Sequence, residues 1–374
     1  MNFNFLRFLF SIGFLFFNLF AFAQNQLPDW AMGPFVRPVN VNPILSPDSS
    51  STFFDPMSKQ KIAWEAGDVF NPAAAVKNNK IYVLYRGEDK SGIGIGKRTS
   101  RLGIAKSKDG VVMTKGKEPV MYPDEDAQKA NEWPGGCEDP RIAVTEEGLY
   151  VMMYTQWNRK IFRLAVATSK DLIHWTKHGP AFSKAYNGKF KDLKCKSGSV
   201  VTKVENGKQI ITKVNGKYMM YWGERFMNIA TSDDLINWMP TLDEKGELDL
   251  IVKPRKHYFD SDLTECGPPA IVTDKGILVF YNGKNRGGND RDTNYTANTY
   301  SAGQVLFDIN NPSKVIERLD KPFFVPTEPF EKSGQYPSGT VFIEGLVYFK
   351  NKWFMYYGCA DSRVGVAVYD PEEK

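Results

Sequence analysis

Five copies of one short pattern constrain this chain more than any other feature. A turn carrying Gly, Asn or Lys leads into an aromatic-rich strand that ends in a polar or charged tip. It reads NKIYVLYRGED from Asn79, EGLYVMMYTQW from Glu147, GKYMMYWGERF from Gly216, KGILVFYNGKN from Lys275 and NKWFMYYGCAD from Asn351. The starts are 68, 69, 59 and 76 residues apart. A second pattern follows each copy, as in RLAVATSKDLIHW from Arg163 and MNIATSDDLINW from Met227. A third precedes it: FNPAAAV, EDPRIAV, KSGSVV, CGPPAIV and SGTVFIEGLVYF. Each repeat thus supplies at least three strands joined by tight turns, with room for a fourth. That arrangement predicts an all-β chain folded as a five-bladed β-propeller, because a repeat unable to bury its faces alone must stack on its neighbours. A sandwich of repeated hairpins is the alternative.

Composition agrees with many short strands. Aromatics are 14% of the chain, with 31 Gly and 22 Pro, and helical periodicity is missing beyond the N-terminus. Residues 1–23 read as a secretory signal: one base at Arg7, a short apolar run, and Ala21–Phe22–Ala23 as a small-residue cleavage site. Residues 24–374 are then a single exported domain, expected in the periplasm with full release as the alternative. The net charge of +5 is spread over 48 bases and 43 acids without a basic block. It supports neither nucleic-acid binding nor stable membrane association, and it leaves the oligomeric state open. Cys137, Cys195, Cys266 and Cys359 lack metal-ligand spacing and are expected as buried thiols, although exported cysteines could also pair.

In such a ring, strand ends gather at one mouth and rigidly held tips carry function. The candidates are Asp68 and Asn71 in the first repeat, Glu138, Asp139 and Arg141 in the second, and Lys196 and Ser197 in the third. Glu265 and Ser338 follow in the fourth and fifth. The tips of the following strands add Arg86, Gln156, Glu224, Lys284, Arg286 and Asp361. Three acids stand out because rigid or apolar residues bracket them. Asp139 precedes Pro140, which should hold it extended. Glu224 follows Tyr221–Trp222–Gly223, and Glu265 precedes Cys266–Gly267–Pro268–Pro269. Neighbouring bases such as Arg141 and Arg225 would balance their charge. His174 in DLIHW aligns with Asn237 in DLINW, so that slot calls for a small polar turn residue. The two other histidines, His178 and His257, leave a metal site or serine triad short of parts, and no metal or organic cofactor is expected.

FNPAA, GGCEDPRI, ATSDDLINW, ECGPPAI and YYGCAD together resemble glycoside hydrolase family 130, from roughly Pro43 to the C-terminus. The resemblance implies a five-bladed propeller cleaving β-mannosides with inversion, as phosphorylases or as a smaller branch of hydrolases. It implies that Asp139 is the proton donor, acting through a mannose hydroxyl. Asp361, Asn71 and Arg86 would line the subsite of the cleaved sugar, with Asp68, Glu138, Arg141 and Lys284 also placed among the binding residues. A His that phosphorylases use for phosphate is Asn282 here, and Glu224 with Glu265 resembles the water-activating pair of the β-1,2-mannosidase branch. The reading is an exo-acting inverting β-mannosidase on a mannose-containing oligosaccharide, with Trp157 and Trp222 as stacking residues or plain core. A phosphorylase releasing mannose 1-phosphate and a non-catalytic mannan-binding propeller are the alternatives. Export favours the hydrolase, because a sugar phosphate made outside the cytoplasm is not readily used.

Overall fold

Five successive antiparallel strand units account for most of the computed structural model, which describes residues 27–373. Parallel pairing joins units one and two at Ser100 and Gly136, and units three and four along Val201–Lys203 and Ala270–Val272. The N-terminal signal lies outside the described residues. Unit one comprises Asp68–Lys77, Lys80–Glu88 and Ser100–Ser107, with Thr114–Lys115 at its edge. Unit two follows with Gly136–Val144, Tyr150–Trp157, Phe162–Ser169 and Thr176–Pro180. Unit three contains Gly198–Glu205, Lys217–Trp222, Asn228–Ser232 and Met239–Pro240. In unit four the first strand is split into Leu263–Cys266 and Ala270–Val272, followed by Ile277–Lys284, Tyr300–Phe307 and Val315–Arg318. Unit five has Val341–Phe349, Lys352–Cys359 and Arg363–Tyr369. The three repeated sequence patterns fall on the first three strands of these units. The one α-helix among the described residues is the four-residue Lys129–Glu132.

The apolar residues divide into five cores, each lying between two successive units. Ala73, Leu84 and Leu102 of unit one meet Ile142, Met152 and Tyr154 of unit two. Met153 and Val166 pack on Val200, Met220 and Trp222 between units two and three. Tyr221 and Ile229 meet Val279 and Tyr281, and Leu278 and Phe280 meet Ile343 and Met355. The fifth core joins Val347, Tyr356 and Val366 of unit five to Val69, Val83 and Tyr85 of unit one. A sheet with two apolar faces cannot stand alone in water, and here each face is covered by a neighbour. All four cysteines are free and buried, as expected from their spacing.

The first strand is irregular near its start in units one, two and five. Register shifts occur at Phe70/Pro72, Glu138/Arg141 and Ile343/Gly345. Bulges of this kind re-aim a side chain while the rest of the ladder stays paired. They turn Asn71 and Asp139 inward, at φ of 47° and 49°. Asp139 is therefore left-handed, not extended: Pro140 disfavours the right-handed helical region, and a short polar side chain tolerates this one.

Candidate active site

At the mouth formed by these strand starts lies a cavity of about 250 Å³. Its lining among the described residues includes the five carboxylates Glu138, Asp139, Glu224, Glu265 and Asp361, and the two bases Arg86 and Lys196. Asp139 is 3% exposed. Its Oδ1 accepts from Asn71 Nδ2 at 2.9 Å and from Arg86 Nη1 at 3.1 Å. Arg86 also reaches Glu88 at 2.6 Å and Glu138 at 2.9 Å through Nη2, and its guanidinium lies over the Phe70 ring. Lys196 joins the two halves of the site. Its Nζ stands 3.7 Å from Asp139, 3.7 Å from Glu224 and 3.2 Å from Glu265. Sharing one ammonium sets an upper limit of roughly 7 Å on the distance from the paired Asp139 oxygen to that of either glutamate, a limit that reaches the lower end of the acid–base spacing that leaves room for a water.

Burial sets the proton affinities and charge partners divide them. Burial alone would raise Asp139, but Arg86, Lys196, Arg141 and the Asn71 amide hold it below the usual carboxylate range. Glu138 moves the other way: burial raises it, Arg86 opposes, and the charges of Asp139 and Glu88 push it further up. Asp361 is pushed up to about 7 by burial, with Arg86 opposing and Asp139 adding to the rise. Glu265 is raised by burial and by Glu224, against Lys196 and Arg141. Three acids around Lys196 outweigh its desolvation and hold it charged. Near neutral pH the free protein therefore keeps Asp139 ionised and holds protons close by on other carboxyls.

Asp139, Glu224 and Glu265, far apart in sequence, face one cavity, together with Asn71, Arg86, Glu138 and Asp361. Arg141, Asp68 and Lys284 are among the candidates that lie outside its lining. Arg141 is 1% exposed and is spent on backbone: it donates to the carbonyls of Asp139, Cys266 and Gly267 at 2.9–3.1 Å and pairs with Glu344 at 3.1 Å. It fastens the Asp139 bulge to the Glu265 turn and presents nothing to a ligand. Asp68 pairs with Arg98 and accepts from Ser362, so it anchors a loop. Lys284 pairs with Asp262 at 3.5 Å, behind the ring of Tyr300. Trp157 lines the cavity, whereas Trp222 is core, 4.6 Å from Phe182 between ring centroids. Gln156 turns away to Glu132, and Thr340, not Ser338, faces the cavity from unit five.

Sequence reasoning missed Tyr300, Tyr336 and Thr340 in the lining, and Glu344 behind it. Glu344 is fully buried, and burial raises it well above the carboxylate range, with Arg141 opposing. An acid inside the apolar run VFIEGLVYF was the available signal. Asn282 does not face the cavity: it brackets the Ile343 peptide, donating to its carbonyl and accepting from its N–H at 3.1 and 2.7 Å. Asn71 Oδ1, Thr155 Oγ1 and Thr340 Oγ1 are buried with no hydrogen-bond partner among the described residues. Such groups are costly unless something polar meets them, and a sugar hydroxyl has the chemistry to do so.

Comparison with known proteins identifies the family. Residues 39–373 match the family Glyco_hydro_130, described as β-1,4-mannooligosaccharide phosphorylase. A 1,2-β-oligomannan phosphorylase of Thermoanaerobacter sp. (strain X514) is 35% identical over 85% of this chain and 95% of its own length. The structure of a glycosyl hydrolase from Bacteroides ovatus is 64% identical, with a TM-score of 0.92 over 94% of this chain and 97% of that one. Another structure, 61% identical with a TM-score of 0.92 over 94% and 97% of the two chains, is described by the words "The GH130 family of mannoside phosphorylases contains glycoside hydrolases that target beta-1,2 mannosidic linkages in Candida mannan". The extent of the family match and these identities show that the chain belongs to glycoside hydrolase family 130.

Proposed function

We propose that this protein is an exo-acting β-mannosidase that hydrolyses β-1,2 links with inversion, built on a five-bladed propeller. Five interunit cores, the last joining unit five to unit one, support the closed ring. One observation carries the chemistry: Glu224 and Glu265 share Lys196 with Asp139 inside one small cavity. In this reading the two glutamates polarise a water and take its proton, while the proton for the leaving oxygen comes from Asp139's side of the sugar. Asp139 must first gain that proton, and Glu138 and Asp361 are the neighbours with raised affinity that can hold it.

The same charges argue against a phosphate nucleophile. Both bases of the lining are already matched by carboxylates, and Lys284 and Arg286 are tied to Asp262 and Asp290. A dianion entering here finds neither base without a carboxylate partner and must compete with those partners for the positive charge. The structure 64% identical is described as a glycosyl hydrolase, and the words given for the one 61% identical place β-1,2-acting hydrolases in the family, which supports the same side. Phosphorolysis is the competing reading, favoured by the curated relative at 35% identity. Export through residues 1–23 belongs to the proposal and is checked by N-terminal sequencing of the mature protein.

Incubation with β-1,2-mannobiose, with and without phosphate, separates the two reactions. Hydrolysis gives mannose at the same rate in both, appearing first as the α-anomer by NMR. Mannose 1-phosphate formed on adding phosphate moves the protein to the phosphorylases. Glu224→Gln and Glu265→Gln should each lower kcat by about 10²-fold or more while mannobiose still binds; near-normal turnover in both removes the water-activating pair.

A further inference from the structure

The loop from Ser91 to Lys97 carries two isoleucines into water at the edge of the cavity. Ile93 is 97% exposed and Ile95 55%. Gly92, Gly94 and Gly96 separate them, and an added Cβ on Gly94 would meet nothing within 4 Å. The base of this loop is nevertheless pinned. Arg98 pairs with Asp68 and donates to the Gly92 carbonyl at 3.3 Å. Arg159 Nη2 donates to the Lys97 carbonyl at 2.8 Å, and Lys97 N–H to the Gly94 carbonyl at 3.3 Å. Ile95 and Gly96 line the same cavity as the catalytic candidates, beside Trp157 and Phe162. A fixed stem thus holds an apolar tip next to an aromatic ring, continuous with the polar cavity.

The position of this tip selects its occupant. Trp157 is the register partner of Gly136, three residues before Asp139, so the apolar rim is on Asp139's side of the cavity. Glu224 and Glu265 come from units three and four, not from the strand pair that carries Asp139 and Trp157. In an inverting reaction the acid and the water approach opposite faces of the sugar, so the leaving group departs on the acid's side. The floor, with Asn71, Arg86 and Asp139 each under 9% exposed, closes over one terminal sugar. The remainder of the substrate has the rim to lie on. The geometry points to Ile95, with Trp157, as a leaving-group subsite that takes the apolar C–H face of the second sugar of a mannoside chain, with Ile93 exposed two residues earlier on the same loop and outside the cavity lining. This rests on the mannosidase reading. Apolar contact at a rim beside a polar floor is how such pockets divide affinity from orientation, and it accounts for two large aliphatic side chains left uncovered at a pocket mouth.

The test compares wild type with the double variant Ile93→Ser/Ile95→Ser and with Ile93→Ser alone, whose side chain does not line the cavity. Ile173→Ser, a half-exposed isoleucine on another turn, is the control. KM is measured for β-1,2-mannobiose and mannotriose, and mannose binding by calorimetry. The double variant should raise KM for both oligosaccharides by about tenfold, the single variant by less, with mannose affinity unchanged. An unchanged KM overturns the subsite. So does an equal loss of mannose affinity, which would mean that the loop only shapes the floor. If wild type cleaves only with phosphate present, the hydrolase reading fails, and the same KM comparison run with phosphate still decides the subsite.

Discussion

At the scale of single residues, Lys196 governs how the site responds to pH. It is the charge shared by the acid side and the base side, and Glu265 is the group it restrains most closely. A general base must be ionised, so activity falls as pH drops through its pKa. Burial and the Glu224 charge lift Glu265, and Lys196 and Arg141 pull it back. The acidic limb of kcat/KM for mannobiose should therefore stand above the ordinary glutamate range. Lys196→Met removes the strongest opposing charge and should shift that limb to still higher pH, as well as lowering the maximum. A limb that stays put would show that Glu265 is not the titrating base. The three acids of the site were legible in the sequence because Pro, Gly and aromatic neighbours bracketed them. Arg141 and Lys284 were misplaced because a sequence shows that a base is close to an acid, not which carbonyl or ring it has already been spent on. Glu344 was overlooked because an acid inside a strand signals a bulge only once its register is known.

At the scale of elements, the turn after the third strand of a unit is built the same way in units two and three. Asp171 Oδ1 accepts from the N–H groups of Ile173 and His174, and Asp234 Oδ1 from those of Ile236 and Asn237, all at 2.7–2.9 Å. His174 Nδ1 then meets Asp171 Oδ2 at 2.7 Å, where Asn237 Nδ2 meets Asp234 Oδ2 at 2.6 Å. The alignment of His with Asn was thus a true reading of a turn, since either residue offers one nitrogen at the same place. Leu172 and Leu235 take φ of 71° and 65° to close it, and are buried. Trp238 follows, 2% exposed, its indole N–H donating to the Leu235 carbonyl. Burial is the largest single influence and raises Asp234, but these bonds together carry it from 3.8 down to about 2. Because the folded value is depressed, its contribution is present above pH 4 and is lost as pH falls towards 2. Asp234→Ala should lower the unfolding free energy by about 1 kcal/mol, a modest figure because the carboxylate is largely solvated. Urea unfolding at pH 7 measures it, and the difference from wild type should shrink at pH 2.5.

At the scale of the whole molecule, an early segment of the described residues meets the last strand. Val36 and Leu45 form antiparallel bridges to Val368 and Val364, and Asn42 bonds both backbone groups of Val366, so residues 36–45 edge the three-stranded unit five. The repeats announced five units, but not this edge: FVRPVNVNPIL has no strand period, and only isolated residues pair. One ion pair adds to its hold. Arg37 donates to Glu331 at 2.7 and 3.0 Å and to the Val325 carbonyl at 2.7 Å, and its guanidinium lies 4.0 Å above the Phe324 ring. Glu331 is fully buried and also accepts from Tyr357 Oη at 2.8 Å. Taking away the cation leaves a buried carboxylate whose remaining donors are neutral, the costly way to break such a pair. Arg37→Ala should therefore lower the unfolding free energy by about 3 kcal/mol, well beyond Asp234→Ala, and the N-terminal edge should become the first site cut in limited proteolysis. A loss below about 1 kcal/mol, with no new cleavage there, would mean that the sheets close around the site without help from the chain's beginning.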